Sequence, residues 1–358
     1  MTQYDVCVVG GGPAGTLLAY LLAKKNISTI LIERTSSIAK SFRGEHINEE
    51  GEAVLKKHQL FDAVDSYGLL KMETLEYWQQ GAIIKQITAE PTVGHLSIHV
   101  PQAHLLQAIL DKAKPLPDFH YMLNTRVTNL IYNDYGICNG VQVEQNSEQQ
   151  TISAKLVIGA DGRYSTVRKL ANIEFEKRKH GYDLLWARIP APKDWTPSIK
   201  MTLIDGYQLS IFSQVNGFIQ IGWNIEPGSF ASLRKEPFEQ LTNKLVTAFP
   251  QLQQTVAQHI TSWNDFILLD VFSSYSDHWH DNGIVLIGDA AHTMTPTGAF
   301  GLNSALKDAD VLADALEPGS FSLIQSTCET ERKREVQRIQ AIQLEKERSF
   351  SDNFILND

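Results

Sequence analysis

A glycine-rich turn at residues 10–15 constrains the fold of this chain more than any other feature of its sequence. The turn reads Gly-Gly-Gly-Pro-Ala-Gly, follows an apolar segment at residues 4–9 and precedes a Leu- and Ala-rich segment at 16–25. A second apolar segment at 28–32 comes next. A buried strand, a glycine turn, a helix and another strand within roughly thirty residues are typical of the β-α-β unit of a parallel sheet. The sequence therefore predicts an α/β fold in its N-terminal region.

The pattern G-x-G-x-x-G in this turn predicts a dinucleotide-binding loop. Gly10 permits the tight turn, Gly12 lets the backbone approach a pyrophosphate, and Gly15 lets the helix pack closely on the strand. Pro13 and Ala14 lie at the start of the helix, where free N–H groups and the helix dipole favour phosphate groups.

An acidic residue after the second strand supports the same prediction. Glu33 lies at the spacing where an acid accepts hydrogen bonds from the hydroxyl groups of a ribose. Such an acid disfavours NADP because it repels the 2′-phosphate, although the neighbouring Arg34 weakens that argument. These residues leave FAD and NAD open as the bound dinucleotide.

The composition excludes several classes of protein. With 358 residues, of which 43% are hydrophobic and 20% charged, the chain can bury a sizeable core, and this excludes a disordered or fibrous protein. A formal net charge of −9 argues against nucleic-acid binding by phosphate neutralisation. The 3 cysteines form no C-x-x-C pair, so neither a disulfide framework nor a metal site is expected. Without a signal peptide or a run of about eighteen apolar residues, we expect a cytoplasmic protein that does not span a membrane.

A change of pattern after residue 198 predicts a second domain. Segments rich in β-branched and aromatic residues are separated by Asp-Gly and Asn-Gly pairs; they cover residues 199–203, 208–213 and 218–225. Such pairs between strands are hairpin signals, so the segments predict an antiparallel meander. Two further apolar strands, at 155–158 and 283–287, are expected to belong to the parallel sheet.

Both of these later strands end in a turn that contains an aspartate. Residues 159–168 read Gly-Ala-Asp-Gly-Arg-Tyr-Ser-Thr-Val-Arg, and residues 288–292 read Gly-Asp-Ala-Ala-His. Residues 296–303 continue with Pro-Thr-Gly-Ala-Phe-Gly-Leu-Asn. Together with the glycine turn, these motifs resemble the three fingerprints of the class A flavoprotein monooxygenases, the para-hydroxybenzoate hydroxylase type. The resemblance extends from residue 4 to about residue 316 and implies FAD as the dinucleotide.

The resemblance implies a glutathione-reductase-like FAD-binding Rossmann domain with an inserted antiparallel β-sheet substrate domain. The expected FAD-binding domain comprises residues 1–72, 97–178 and 272–328, and the expected substrate domain comprises residues 73–96 and 179–271. A charged C-terminal helix is expected at 329–358. The apolar pattern of this helix does not require a partner chain, so the sequence is compatible with both a monomer and a homodimer.

The family also implies an activity. Its members use NAD(P)H as a transient reductant and O₂ to hydroxylate an aromatic or heteroaromatic small molecule through a flavin C4a-hydroperoxide. Because the flavin carries the chemistry, no catalytic acid or base is expected to stand out in the sequence. Three alternatives remain open on the same sequence: a flavin-dependent halogenase, a geranylgeranyl-reductase-like saturase and a non-catalytic FAD-binding module.

The resemblance assigns roles to individual residues outside the glycine turn. The implied contacts are Glu33 at the adenosine ribose, Arg43 near the flavin and phosphates, Gln102 near the ribityl chain, Val127 at the adenine through its backbone, Asp161 near FAD and the nicotinamide, and Asp289 at the ribityl hydroxyls.

Apolar residues recur at helical spacing from residue 302 to residue 316 and predict a helix. The resemblance implies that this helix begins at the flavin ring. Gly301 and Leu302 then place backbone N–H groups near the pyrimidine side of the ring, with Pro296 just before them and Asn303 just after. The helix dipole would favour the negative charge of reduced flavin by about 0.3–2 kcal/mol.

Three aromatic residues of the predicted substrate domain are candidates for a substrate pocket. They are Trp186, Phe212 and Trp223. Packing in an apolar core explains the same residues equally well, so the sequence leaves both interpretations open.

Overall fold

The computed structural model describes residues 3–37, 45–320 and 325–354. They form a mixed α/β fold, with both parallel and antiparallel sheets, that divides into two units. Unit 1 comprises Met1–Gly68, Pro101–Arg178 and Ser273–Ile342, and unit 2 comprises Leu69–Val100, Lys179–Phe272 and Gln343–Asp358.

The strands of the described residues are numbered in chain order. They are β1 Gln3–Val9, β2 Thr29–Ile32, β3 His46–Ile47, β4 Leu70–Met72, β5 Thr74–Gln79, β6 Ala82–Thr88, β7 Ser97–His99, β8 Phe119–Met122, β9 Thr125–Tyr132, β10 Cys138–Gln145, β11 Glu148–Gly159, β12 Glu176–Lys179, β13 Asp183–Pro190, β14 Ser198–Ile204, β15 Tyr207–Gln214, β16 Phe218–Ile225, β17 Ile267–Leu269, β18 Phe272–Tyr275, β19 His280–Asp281 and β20 Ile284–Leu286.

The α-helices are numbered in the same way. They are α1 Pro13–Lys24, α2 Glu49–Lys57, α3 Phe61–Tyr67, α4 Gln102–Ala113, α5 Thr166–Leu170, α6 Phe230–Leu233, α7 Phe238–Ala248, α8 Gln253–His259, α9 Phe300–Ala315 and α10 Gln325–Arg348.

The sheet of unit 1 has the strand order β19-β20-β11-β1-β2-β8. The five strands from β20 to β8 are parallel, whereas β9 and β10 form an antiparallel extension that pairs with β11. The predicted strand–turn–helix–strand unit is β1, α1 and β2, which confirms the α/β prediction for this region. β2 and most of β1 are buried, as expected of central parallel strands.

Helix α1 begins directly after the glycine turn because Gly12 has an extended backbone and Pro13 occupies the first helical turn. Residues 14–23 are all buried, since α1 packs against α4 and α9 as well as against the sheet. The helix ends at Lys24, and Asn26 then adopts a left-handed φ of 59°. Burial on all sides fixes the N-terminus of α1 relative to the parallel strands.

The sheet of unit 2 has the order β17-β13-β16-β15-β14-β5-β6. β14, β15 and β16 are antiparallel neighbours, which confirms the predicted meander. Asp205 and Gly206 turn between the first two strands with φ values of 52° and 82°, and Asn216 and Gly217 turn between the next two with 61° and 70°. Asp, Asn and Gly tolerate this left-handed backbone, which explains why they mark the hairpins.

One face of the unit 2 sheet carries the apolar core of that unit. Leu185, Ile211 and Ile221 from three neighbouring strands pack there with Leu245 of α7 and Val256 of α8. Because side chains alternate between the faces of a strand, the residues next to them in sequence lie on the opposite face.

The C-terminal helix is longer at its start than predicted and ends earlier. α10 runs over Gln325–Arg348 and is followed by a short 3₁₀ segment at Phe350–Phe354. Val336 and Ile339 on its narrow apolar side are buried in the core of unit 1. Across the described ranges, each helix is either too short or too polar to cross a bilayer.

A buried ion pair joins two neighbouring strands of unit 2. Lys200 on β14 and Glu76 on β5 are register partners, and their Nζ and Oε2 atoms lie 2.6 Å apart. Glu76 also accepts hydrogen bonds from the side chains of Thr74 and Trp78, and the Lys200 ammonium lies 4.8 Å from the centre of the Trp195 ring. Lys200 is 6% exposed and Glu76 is 4% exposed, so each charge is compensated by the other and not by water.

We expect Lys200→Met to lower the free energy of unfolding by about 3–5 kcal/mol, because the variant leaves the Glu76 carboxylate buried without a counter-charge. Adding Glu76→Gln should restore most of this loss, since no buried charge then remains. Urea unfolding followed by tryptophan fluorescence measures both variants. Equal losses in the single and the double variant would show that the pairing of charges is not what stabilises these strands.

Candidate functional site

Three loops meet at one edge of the unit 1 sheet. Because β20, β11, β1 and β2 are parallel neighbours, their carboxyl ends lie along the same edge. The glycine turn follows β1, the turn with Asp161 follows β11, and the turn with Asp289 follows β20. Glu33 directly follows β2. The structure therefore brings together the three motifs that lie far apart in the sequence.

The glycine turn packs directly on the backbone of the second loop. Gly10 has a φ of 111°, and a Cβ there would lie 2.4 Å from the carbonyl oxygen of Ala160. A Cβ on Gly15 would lie 2.0 Å from the carbonyl oxygen of Gly10. A Cβ on Gly12, in contrast, would meet nothing within 4 Å. The turn is thus closed against the protein on one side and open beside the N-terminus of α1.

The Glu33 carboxylate is bound to this turn. The N–H of Gly11 donates to its Oε2 at 2.7 Å, and the N–H and hydroxyl of Thr35 donate to its Oε1 at 3.0 and 2.8 Å. These hydrogen bonds hold the carboxylate beside the glycine turn, and its contact with a ribose stays a prediction. Arg34 beside it is exposed.

Asp161 caps the short helix α5. Its carboxylate accepts hydrogen bonds from the Ser165 hydroxyl and from the N–H groups of Thr166 at 2.6 Å and Val167 at 3.1 Å. Burial raises the pKa of Asp161 above its ordinary value, although these hydrogen bonds act in the opposite direction. In the structure the side chain shapes its own loop, and its contact with FAD or the nicotinamide stays a prediction.

Arg168 links two of the three loops and was not singled out from the sequence. Its buried guanidinium donates to the carbonyl oxygens of Ala290 at 2.7 Å and Arg163 at 3.0 Å, and it lies 4.0 Å from the centre of the Phe175 ring. Arg163 in turn places its Nε 3.8 Å from Oδ2 of Asp289. The only sequence signal was the position of Arg168 at the end of the second motif.

Asp308 on α9 is a second functional residue that sequence reasoning missed. Its fully buried carboxylate accepts hydrogen bonds from the N–H of Gly288 at 2.8 Å and Nε of Arg332 at 2.8 Å, and lies 2.7 Å from Nε2 of His292. Burial disfavours its ionised form, but the His292 and Arg332 side chains outweigh that effect and lower its pKa to about 2. Since Gly288 begins the turn that carries Asp289, Asp308 fixes this turn to α9.

Helix α9 begins without a side-chain cap. Ala299 precedes it with a left-handed φ of 55° and provides no side-chain hydrogen bond to the first N–H groups of the helix, which include those of Gly301 and Leu302. The Asn303 amide is used within the protein, because it donates to the carbonyl oxygens of His46 and Ala299. Asn303 therefore holds the preceding loop in place.

The remaining predicted cofactor residues occupy separate positions in unit 1. Gln102 begins α4 and is 5% exposed, and its side-chain amide has no partner among the described residues. Val127 lies on β9 within the apolar core. Pro296 precedes the 3₁₀ turn at Thr297–Ala299. Arg43 lies outside the described residues.

The residues present at this edge fit a flavin dinucleotide. The space beside Gly12 and the uncapped start of α1 suit a pyrophosphate, because free helix N–H groups and the helix dipole attract anions. The uncapped start of α9 suits the electron-rich end of the flavin in the same way.

The structure separates the three aromatic substrate candidates. Trp223 is 4% exposed and packs in the apolar core of unit 2, where it contributes to packing. Trp186 and Phe212 lie on the opposite face of the sheet, with ring centres 6.5 Å apart and ring planes inclined by 26°. Only two of the three candidates are therefore brought together.

A family model described as an FAD binding domain matches residues 3–321. The chain belongs to this family. Among curated proteins it is similar to 6-methylpretetramide 4-monooxygenase of Streptomyces rimosus, with 32% identity over 308 residues that cover 85% of this chain and 73% of the relative. It is also similar to digeranylgeranylglycerophospholipid reductase of Methanosarcina acetivorans, with 26% identity over 336 residues, 89% of this chain and 77% of the relative.

The fold agrees with this assignment. PqsL, a probable FAD-dependent monooxygenase from Pseudomonas aeruginosa, superposes with a TM-score of 0.85 and 20% identity, covering 98% of this chain and 97% of PqsL. These findings confirm the resemblance to the class A flavoprotein monooxygenases. The protein is an FAD-dependent oxidoreductase of that class, and NAD(P)H is the usual reductant of the family.

Two glycine variants test the cofactor loop. Gly15→Ala should lower the free energy of unfolding by about 1–3 kcal/mol and abolish FAD binding, because the new Cβ collides with backbone. Gly12→Ala is the matched variant: it should fold with unchanged stability but bind FAD at least about tenfold more weakly, since its Cβ enters the space of the pyrophosphate. Flavin fluorescence titration of the apoprotein measures the affinity. Unchanged affinity in Gly12→Ala would place the pyrophosphate elsewhere.

Asp308 predicts a defined dependence of stability on pH. Its pKa is lower in the folded chain than the ordinary value of 3.8, so its ionisation contributes stability that is present above that value and lost as the pH falls towards 2. The contribution amounts to about 2 kcal/mol.

In urea unfolding at decreasing pH, Asp308→Asn should therefore be less stable than the wild type near neutrality, and the difference should narrow below about pH 4. Asp314→Asn is the control, because Asp314 lies on the same helix with a side chain that is 63% exposed. A constant difference across this pH range would contradict the assignment.

Proposed function

We propose that this protein uses NAD(P)H and O₂ to hydroxylate an aromatic or heteroaromatic small molecule. The observation that carries the proposal is the start of α9, which has no side-chain cap and is fixed through Asp308 to the turn with Asp289. Free N–H groups at that point would favour a negatively charged group of the cofactor bound beside them. The 32% identity to a monooxygenase over most of the chain supports the same function.

In this proposal the residues at the sheet edge hold the cofactor. The open turn at Gly12, with Pro13 and Ala14 at the start of α1, binds the pyrophosphate, and Glu33 binds the adenosine ribose. Asp289 and Gln102 bind the ribityl chain. We retain the remaining family-derived contacts as proposals on the same basis; they are Arg34, Arg43, Val127, Asp161, Pro296 and Asn303. Bound FAD supplies redox chemistry, because it accepts a hydride from NAD(P)H and activates oxygen.

The chain's own residues position the reactants. The N–H groups of Gly301 and Leu302 favour negative charge on the reduced cofactor by about 0.3–2 kcal/mol. Arg168 and Asp308 keep the three loops at a fixed spacing, so these N–H groups and Asp289 act on the same cofactor. Fixed dipoles of this kind stabilise charge without reorganising during the reaction.

We assign unit 1 as a glutathione-reductase-like FAD-binding Rossmann domain and unit 2 as the substrate domain. The parallel strand order of unit 1 and the cofactor loops at its carboxyl edge support the first assignment. The aromatic pair Trp186 and Phe212, on the sheet face opposite the core, supports the second, because planar aromatic ligands pack well on such rings. Trp223 is left out because it packs in the core.

Isotope labelling with ¹⁸O₂ tests the proposed function. Purified protein should carry FAD, and a panel of aromatic compounds should include one that accelerates NAD(P)H oxidation and gains one labelled oxygen atom. The apoprotein prepared by removing FAD is the control and should do neither.

Reduction of a carbon–carbon double bond without labelling would indicate a reductase like the archaeal relative, and a halide requirement would indicate a halogenase. Bound FAD without faster NAD(P)H oxidation by any compound would contradict the hydroxylase.

A further inference from the structure

One side of the C-terminal helix α10 combines an apolar anchor with two polar residues. Val336 is buried in the core of unit 1. Arg332 lies four residues before it and Gln340 four residues after it, so the three side chains share one side of the helix. Both polar residues make hydrogen bonds that lead to the turn with Asp289, residues 288–293.

Gln340 holds the end of this turn. Its side-chain nitrogen donates to the carbonyl oxygens of Thr293 at 3.1 Å and Ser274 at 3.0 Å. The Thr293 hydroxyl donates to the carbonyl oxygen of Asp289 at 3.2 Å, and the Thr293 N–H donates to the Ser274 hydroxyl at 3.1 Å. Thr293 and Ser274 are both buried. Two successive hydrogen bonds therefore connect Gln340 to the backbone of Asp289.

Arg332 holds the start of the same turn through Asp308 on α9. Its Nε donates to Oδ1 of Asp308 at 2.8 Å, and its guanidinium also donates to the hydroxyl of Ser304, one turn earlier on α9, at 3.4 Å. The other oxygen of Asp308 accepts from the N–H of Gly288 at 2.8 Å and lies 2.7 Å from Nε2 of His292. Helix α10 thus reaches both ends of the turn.

Packing alone does not account for an arginine at position 332. Its side chain is 1% exposed and faces the fully buried carboxylate of Asp308. Burying a charged pair is costly, and apolar residues of similar volume are often as stable or more stable at such positions. A buried pair does constrain geometry, because both charges lose their compensation when the distance between them grows. The contact therefore indicates a requirement for position.

We propose that Arg332 and Gln340 are positioning residues for FAD, which hold both ends of the turn so that Asp289 meets the ribityl chain. Helix α10 is then part of the cofactor site, although neither residue needs to touch FAD. This inference rests on the proposed contact of Asp289 and goes beyond it, because it assigns a role in cofactor binding to the C-terminal helix.

Two glutamines of α10 provide a matched test. Gln340→Ala should raise the dissociation constant of FAD by about 3- to 10-fold, because the turn loses the equivalent of one ordinary hydrogen bond. Gln337→Ala is the control and should leave it unchanged, since the Gln337 amide donates to the hydroxyl of Tyr275 at 2.8 Å, outside the turn. Flavin fluorescence titration of the apoproteins measures both. Their melting temperatures should lie within about 2 °C of each other, because each variant loses one glutamine side chain from the same helix.

Two variants of Arg332 test the start of the turn. Arg332→Gln should raise the dissociation constant by about 10- to 100-fold, because Asp308 loses a charged partner. Arg332→Lys should recover most of the affinity, since lysine keeps a positive charge beside Asp308. Gln340→Ala tests the proposal even where Arg332→Gln does not fold.

The visible circular dichroism of bound FAD at saturation separates positioning from stability. It should change in Gln340→Ala and match the wild type in Gln337→Ala, because only the first variant alters the surroundings of the cofactor. A spectrum of Gln340→Ala identical to that of the wild type would show a merely structural role and overturn the inference.

Asp289→Ala connects the inference to the contact on which it rests. It should weaken FAD binding by about 10- to 100-fold, because a carboxylate that accepts hydrogen bonds is removed. In the double variant with Gln340→Ala the two losses should not multiply, since residues that act through one another are not additive.

The outcomes distinguish the two failures. Unchanged FAD affinity in Asp289→Ala would contradict the ribityl contact and this inference together. Weaker binding in Asp289→Ala, with unchanged affinity in Gln340→Ala or with losses that multiply in the double variant, would overturn the inference alone. The hydroxylase function would then stand, because it is judged by the incorporation of labelled oxygen.

Discussion

The contact between the glycine turn and Ala160 is the constraint on which the cofactor site depends. Backbone meets backbone there, and neither Gly10 nor Gly15 leaves room for a side chain. That contact sets the distance between β1 and the loop after β11, and α1 starts from the same turn. The direction of the free N–H groups of α1 is therefore determined by packing between two loops and not by a flexible side chain.

Buried charged side chains extend this arrangement to the third loop. Arg168 bridges carbonyl oxygens of two turns, and Asp308 joins the N–H of Gly288 to His292 and Arg332. A buried charge is costly unless its hydrogen bonds are satisfied, so a network of this kind tolerates few alternative geometries. The network fixes the position of the turn with Asp289, because the Asp308 carboxylate joins that turn to α9.

Local patterns predicted the elements that depend on local chemistry. The glycine turn, the two later aspartate turns and the Asp-Gly and Asn-Gly hairpins all require particular backbone conformations, and the structure contains each at the expected place. The glycine turn and the two aspartate turns lie together because they follow neighbouring parallel strands, whose carboxyl ends share one edge of the sheet. The roles of Arg168 and Asp308 were not predictable in this way, since their partners lie on other elements of the fold. Trp223 and Phe212 are both aromatic residues within predicted strands, so the sequence does not distinguish their positions. The strand register shows that Trp223 faces the core and that Phe212 lies on the opposite face.

Among the described residues, the two helices that begin at the cofactor loops have no side-chain cap at their first N–H groups. FAD therefore completes the secondary structure as well as the chemistry, in the position that serine or aspartate takes at an ordinary helix start. Any ligand that binds only the folded chain shifts the folding equilibrium towards it. Bound FAD would therefore raise the free energy of unfolding of the chain in addition to supplying its chemistry.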